Sequence, residues 1–390
     1  MATVESTHDI AEVVREQFRR RFQAEPLVTS APGRVNLIGE HTDYNDGFVM
    51  PAAIEFHTWV AAAARSDNRL VAHSVQFPQM LDQDLNATRQ RSGDWTDYSW
   101  GVAAALRQAG YNLRGATLLI DGNVPIGSGL SSSAAIEVAT GFALLTVAGV
   151  DPDRVELARI CQLAENEFVG ARCGIMDQFI SCTGKAGNSV LLDCRSLEYK
   201  YAPLPKSVSL VICNTMVKHS IAGGEYNQRR AECERGVALL ARHLPGIRAL
   251  RDVSREQLAR FSSTLPEVIA KRCRHVVTEN ARVLEASDAL GAGDLGRLGR
   301  LMGESHASLR DDYEVSCPEL DIMVELALQQ TGVIGSRMTG GGFGGCTISL
   351  VHDEAVDQFR SSVSNAYEQR TGKRPEIYVT AAADGVQRVA

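Results

Sequence analysis

No apolar run in this 390-residue chain approaches the roughly 20 residues that a membrane-spanning helix needs. The stretch from Met1 to Glu25 carries acidic residues and lacks the hydrophobic core of a signal peptide. Basic residues are in deficit: 40 Lys and Arg against 47 Asp and Glu leave a net charge of −7. That argues against general nucleic-acid binding, which depends on a basic surface that releases counterions. It does not argue against a small polyanion whose charge is met locally. The nine cysteines include no Cys-x-x-Cys pair, and most lie in apolar runs, as Cys161, Cys213 and Cys346 do. Reduced, buried thiols in a cytoplasmic protein are therefore expected, rather than disulfides or zinc ligands. There are no internal repeats and no low-complexity tracts.

What remains is ordinary globular composition, 44% apolar and 22% charged. The length exceeds one compact core of usual size, so two domains are expected, 1–205 and 206–390, with the boundary near Pro203 and Pro205. Periodicity predicts an amphipathic helix over 7–23, with Ile10, Val14, Phe18 and Phe22 on one side. Strands are predicted at 48–54, 58–64 and 70–75, the last two joined by a hairpin turn at Asp67-Asn68. Helices follow at 98–109 and 153–169, and a third starts near Ile175 after the break Gly170 to Gly174. Past a strand at 208–213 come helices at 225–243, 266–290, 294–310 and 318–330. Strands at 334–338, 346–351 and 376–380, with a helix at 353–370, complete the chain. Without regular βαβ alternation, the fold class is α+β.

The most informative stretch runs from Gly122 to Ala135, between the apolar strand Ala116 to Ile120 and an apolar helix that continues through Val147. A flexible loop thus enters a helix N-terminus, where unpaired N–H groups and the helix dipole favour an anion. Gly127 and Gly129 let the backbone approach a ligand, and Ser128, Ser131, Ser132 and Ser133 can cap the helix, bind phosphate oxygens or ligate Mg²⁺. The loop holds no lysine, so it is not the common Gly-Lys-Ser/Thr phosphate loop, and the neutralising charge must come from a metal and from elsewhere in the chain.

Pro125-Ile126-Gly127-Ser128-Gly129-Leu130-Ser131-Ser132-Ser133-Ala134 resembles the ATP-binding motif of the small-molecule kinases named for galactokinase, homoserine kinase, mevalonate kinase and phosphomevalonate kinase (GHMP). That resemblance implies that Gly127, Ser128, Gly129, Leu130, Ser131, Ser132 and Ser133 hold the nucleotide.

Residues 31–44 set Arg34, Asn36, Glu40, His41 and Asp43 among apolar neighbours. Such a density of hydrogen-bonding groups suits a polyol, whose hydroxyls must all be matched in a buried site. An internal ion-pair cluster accounts for the same residues. Glu40, His41 and Asp43 stand too close in sequence for a typical zinc set. The segment Gly33 to Asp43, continuing from Gly47 to Pro51, is similar to the galactokinase signature. The likeness implies that Glu40, His41 and Asp43 hold sugar hydroxyls and that Arg34 lies near the transferred phosphate.

A carboxylate among apolar residues is costly unless paired or functional, and Glu165 and Asp177 are two such groups. By matching motif, Ser133 and Glu165 resemble the family's Mg²⁺ ligands, Asp177 its catalytic aspartate and Gly174 a backbone contact to the sugar. Tyr226 matches a tyrosine that hydrogen-bonds the sugar. Ser336 to Cys346 places five glycines in six positions between two strands, more than a hairpin requires. This excess predicts close backbone approach to a ligand or to another loop, and it resembles the family's third motif, which closes over the nucleotide region. His306 to Asp321 is also galactokinase-like.

The match runs from about residue 26 to 385. It implies transfer of the ATP γ-phosphoryl group to the C1 hydroxyl of α-D-galactose, with Mg²⁺, in a cleft between two α+β domains. Phosphorylation of N-acetylgalactosamine, or non-catalytic sensing of galactose and ATP, are the alternatives. The small sugar is the expected partner, with no nucleic acid and no membrane.

Overall fold

The computed structural model describes residues 7–217 and 224–389. Its helices are α1 (Thr7–Phe22), α2 (Thr96–Gln108), α3 (Ser132–Val147), α4 (Arg154–Ala164), α5 (Met176–Thr183), α6 (Gly224–Leu240), α7 (Arg255–Phe261), α8 (Glu267–Gly291), α9 (Leu295–Asp311), α10 (Pro318–Leu328) and α11 (Val356–Thr371). Its strands are β1 (Leu27–Asn36), β2 (Phe48–Val49), β3 (Pro51–Ala64), β4 (Arg69–Ser74), β5 (Met80–Asp84), β6 (Ala116–Gly122), β7 (Asn188–Asp193), β8 (Tyr199–Pro203), β9 (Val208–Asn214), β10 (Val333–Thr339), β11 (Cys346–His352), β12 (Glu376–Thr380) and β13 (Gln387–Arg388). The fold is α+β, as expected.

Three sheets result, ordered β13-β1-β3-β6-β4-β5, β10-β11-β9-β12 and β2-β7-β8. The expected hairpin at Asp67-Asn68 does not form. β6 lies between β3 and β4, antiparallel to the first and parallel to the second. Residues Ala116 to Ile120 are buried throughout, which suits an interior strand. Gly115 makes the crossing possible: a Cβ there would lie 1.9 Å from the Asp67 carbonyl oxygen. The strands expected at 48–54 and 58–64 are also redrawn. Phe48–Val49 pairs with β7, while Pro51–Ala64 is one continuous strand, and the irregularity falls instead in β1 between Pro32 and Arg34.

That bulge positions the site. Gly33 approaches the phosphate-type loop so closely that a Cβ would stand 2.6 Å from the Leu130 carbonyl oxygen. Arg34 N–H then donates to the same carbonyl at 3.1 Å. α3 packs behind β1, where the Thr29 hydroxyl donates to the Ala139 carbonyl at 3.1 Å. One apolar cluster joins the two ends of the chain, packing Val35, Leu37, Ile38 and Leu130 with Ile212, Val283, Cys346 and Ile348. β13 also returns to the first sheet beside β1.

The helix expected over 153–169 narrows to α4 and then widens into a single π-type turn, Glu165–Val169, ended by Gly170 at φ 85°. Such turns occur often at functional sites. All nine cysteines are unpaired, six of them buried. No helix among the described residues is long and apolar enough to cross a membrane.

Candidate active site

Arg34, at the end of β1, and Asp177, in the first turn of α5, form a two-pronged ion pair. Arg34 Nε donates to Asp177 Oδ1 at 2.7 Å and Nη2 donates to Oδ2 at 2.8 Å. Arg34 Nη1 donates to the Gly129 carbonyl, so the pair is fastened to the glycine–serine loop. The Ser131 hydroxyl donates to Asp177 Oδ2. Among the described residues, three of the five guanidinium N–H groups are used and two remain, and Asp177 Oδ1 keeps an acceptor site free. Ser131 holds a left-handed φ of 61° and makes no side-chain cap on α3. Its hydroxyl serves Asp177, not the helix end.

A cavity of about 710 Å³ opens onto this pair. Its wall includes Arg34, Glu40, His41, Asp43, Gly127, Gly129, Ser131, Ser132, Ser133, Glu165, Gly174, Asp177 and Tyr226. Two of the residues expected to hold nucleotide, Ser128 and Leu130, are not in that wall. The Ser128 hydroxyl turns inward to the Pro125 carbonyl at 2.7 Å, and the Leu130 side chain packs in the core. They shape the loop from behind. Ser132 and Ser133 open α3, where the first N–H groups have no partner within the helix.

Glu40 ties the first motif to the third. Its Oε2 accepts from Asn36 Nδ2 at 2.7 Å and from Arg337 Nη1. Its Oε1 accepts from Gly340 N–H at 2.9 Å. The Thr339 hydroxyl can give its single proton to Glu40 Oε1, 3.2 Å away, or to the Asn36 carbonyl, 3.3 Å away. When it turns to Asn36, one Glu40 acceptor site is left for a ligand hydroxyl. Burial raises the Glu40 pKa, against the pull of Arg337 and the Gly340 N–H.

Asp43 faces the same cavity from the turn after β1. Burial first, and then the charge of Asp177, push its carboxyl up to about 6. Gly174 is the residue that makes room for it: a Cβ there would lie 2.0 Å from Asp43 Oδ2. His41 packs against Tyr226, ring centroids 5.6 Å apart, and holds a left-handed φ of 64°. Strained non-glycine positions of this kind cluster at functional sites.

Glu165 projects from the π-type turn on the same cavity wall as Ser133, which draws its pKa down. Gln178 Nε2 and the Cys173 thiol donate to it. Burial, then the nearby Asp177 charge, push its carboxyl up to about 7. Behind it stands Glu137, buried and held by Gln178 Nε2 at 3.0 Å. Burial first, then the Glu165 charge, raise its pKa well above the usual carboxylate range. No group of three or more His, Cys, Asp or Glu among the described residues is arranged to hold a metal ion.

The third glycine loop packs on the phosphate-type loop backbone to backbone. A Cβ on Gly340 would lie 2.9 Å from the Gly129 carbonyl oxygen, and one on Gly345 would lie 2.9 Å from that of Ser128. Asn36, part of the polar cluster seen in the sequence, serves Glu40, but the sequence did not mark Thr339 or Arg337 as site residues. Nor did it find a second, more apolar cavity of about 460 Å³, lined by Phe77, Trp95, Tyr98, Ile126, Ile136 and Val169 among others. The two cavities share Ser132 and Ser133.

A carboxylate–arginine pair beside a helix-capped glycine–serine loop, on this α+β frame, defines a small-molecule kinase of the GHMP class. Family profiles agree: the galactokinase galactose-binding signature matches residues 16–64, the GHMP kinases N terminal domain 97–185 and the GHMP kinases C terminal 286–369. The galactokinase of Roseiflexus sp. (strain RS-1) is 50% identical over 380 residues, 96% of each chain. That of Chloroflexus aggregans is 50% identical over 374 residues, 95% of this chain and 96% of the relative. The crystal structure of Lactococcus lactis galactokinase complexed with galactose superposes with a TM-score of 0.94 at 37% identity, covering 97% of this chain and all of that one. The mevalonate kinase of Methanococcus jannaschii shares the fold alone, at a TM-score of 0.65 and 16% identity over 93% of this chain and all of that one. The chain belongs to the galactokinase family.

Proposed function

We propose that the enzyme transfers the γ-phosphoryl group of ATP to the C1 hydroxyl of α-D-galactose, with the chemistry centred on Arg34 and Asp177. The observation that carries this is the free acceptor site on Asp177 Oδ1, held by Arg34 at the cavity wall. The sugar would occupy the polar cavity, with its hydroxyls met by Glu40, His41, Asp43, Tyr226 and the Gly174 backbone. The nucleoside would occupy the more apolar cavity beside Trp95 and Tyr98. The shared wall at Ser132 and Ser133 would then face the triphosphate, with the first N–H groups of α3. The cleft lies between an N-terminal part, 1–205, and a C-terminal part, 206–390.

The step forms a bond from the sugar O1 to the γ-phosphorus and breaks the bond from that phosphorus to the ADP oxygen. Asp177 receives the hydroxyl proton. The two free Arg34 N–H groups face the charge of the transferring group, and the fixed pair costs no reorganisation as the reaction proceeds. Positioning and charge stabilisation are the main needs of phosphoryl transfer.

Ser133 and Glu165 offer hard oxygen donors on one wall, a set that suits Mg²⁺, which binds few protein carboxylates and keeps phosphate and water ligands. When bound there, the ion would offset phosphate charge. The nine unpaired cysteines fit a cytoplasmic setting.

ADP release measured with Mg-ATP against galactose, glucose, N-acetylgalactosamine, mevalonate and homoserine tests the reading. Strong turnover with galactose is expected. Preference for N-acetylgalactosamine would overturn the substrate, and galactose binding without turnover would overturn the reaction.

A further inference from the structure

A line of hydrogen bonds runs behind the cavity wall to His41. Cys233 Sγ lies 3.1 Å from the Tyr313 hydroxyl, which lies 2.7 Å from the Tyr44 hydroxyl. The Tyr44 hydroxyl in turn lies 2.7 Å from His41 Nδ1. The rings are packed together, His41 against Tyr313 at 4.7 Å and Tyr313 against His275 at 4.6 Å between centroids. His41, Tyr313 and Cys233 are all buried. The other ring nitrogen, His41 Nε2, is buried with no partner in hydrogen-bond geometry among the described residues, and His41 forms part of the cavity wall. Burial first, then the charges of His275 and Arg229, lower the ring's pKa well below the usual imidazole range, against the pull of the Gly341 backbone. A neutral imidazole carries one proton, on one nitrogen or the other.

The neighbours decide which nitrogen. Each phenol has one proton to give. If both point toward Cys233, the last is donated to a thiol sulfur, a weak acceptor, and His41 Nδ1 must act as donor. If both point toward His41, the last is donated to an imidazole nitrogen, a far better acceptor, and the thiol gives only its weak S–H to Tyr313. The second arrangement matches strong donors to strong acceptors.

We infer that Tyr44 and Tyr313, anchored by Cys233, are positioning residues that hold His41 in the tautomer protonated at Nε2 and so present an N–H donor to an oxygen of the sugar. The inference rests on the sugar-kinase reading of the cavity. It also accounts for a need. Ionised Asp43 and Asp177 can only accept hydrogen bonds. A hydroxyl that receives one bond from His41 can give its own proton to a carboxylate, so donor and acceptor groups act on the same substrate. The tyrosines act through His41 and touch no reacting atom.

Long-range ¹H–¹⁵N correlation spectra of the full chain test this, with the His41 signals assigned by their loss in His41→Asn. Tyr44→Phe and Tyr313→Phe are compared with the parent, and galactose kinetics are measured alongside. The parent should show an unprotonated Nδ1 and a protonated Nε2. Tyr44→Phe should lose that preference, with KM for galactose raised about tenfold and kcat within about twofold, the size of one weakened hydrogen bond. Tyr313→Phe keeps the bond to Nδ1 and should raise KM less. A protonated Nδ1 in the parent would overturn the inference. So would a Tyr44→Phe protein with the parent's ring signals and KM. Absence of galactose turnover would overturn the sugar reading instead, while the parent spectrum would still decide the direction of the hydrogen bonds.

Discussion

Arg34 and Asp177 lie 143 residues apart and meet through two hydrogen bonds of 2.7 and 2.8 Å. Only 7% of the Arg34 side chain and 23% of the Asp177 side chain reach solvent. Each is therefore the other's main counter-charge. Removing one partner of such a pair leaves a buried charge unmatched, which costs about 3–5 kcal/mol where burial is complete. Arg34→Ala should destabilise the protein by about 2–3 kcal/mol in urea unfolding, less than that limit because Asp177 is partly exposed. Arg34→Lys should recover part of the stability and little of kcat, since an ammonium is a point charge that cannot grip both carboxylate oxygens.

Gly174→Ala should act on the sugar and not on the fold. Its Cβ would need the space 2.0 Å from Asp43 Oδ2, so the carboxylate must move. KM for galactose should rise at least about tenfold, the loss of one good hydrogen bond, with KM for ATP nearly unchanged. Steady-state kinetics with each substrate varied in turn check both halves.

Much of the site was legible because it is local. The glycine–serine loop, the run from Arg34 to Asp43 and the break before Asp177 are each continuous in sequence. The missing parts depend on contacts across the chain. Arg337 reaches Glu40 over 297 residues, and nothing in its own segment marks it as part of a sugar site. The apolar cavity takes Phe77, Trp95 and Ile136 from separate segments. From sequence Ser131 has the look of a phosphate ligand or cap, because its bond to Asp177 spans 46 residues. The fold followed the same rule. Helices with a regular apolar face were placed well. β8 was not expected, because four of its five residues are exposed and show no alternation. The order β3-β6-β4 was missed because neighbours in sequence are not always neighbours in a sheet.

Gly340→Ala should loosen the contact between the two glycine loops. Its φ of 85° disfavours any other residue, and its Cβ would press on the Gly129 carbonyl oxygen at 2.9 Å. A loss of about 1–3 kcal/mol is expected in urea unfolding. KM for ATP should rise more than KM for galactose, since Gly129 belongs to the phosphate-type loop.

The pH dependence should follow Asp43, whose carboxyl is pushed up to about 6, by burial first and then by Asp177. Between its usual value and about 6 the folded protein holds a proton that the unfolded chain has released. Its contribution to stability therefore falls as pH rises across that window. Activity runs the other way. Ionised Asp43 is the better acceptor for sugar hydroxyls, so kcat/KM for galactose should climb through about pH 6. Asp43→Asn should lower kcat/KM and remove that limb from the profile.

The central claim is that Asp177 takes the proton of the reacting hydroxyl, and the most direct measurement is single-turnover phosphorylation of galactose by Asp177→Asn. Sugar binding is measured in parallel by calorimetry. Galactose should still bind within about tenfold of the parent. The phosphoryl-transfer rate should fall by about 10²–10⁴, the usual worth of a positioned acid or base. A transfer rate within a few-fold of the parent, with binding intact, would contradict it.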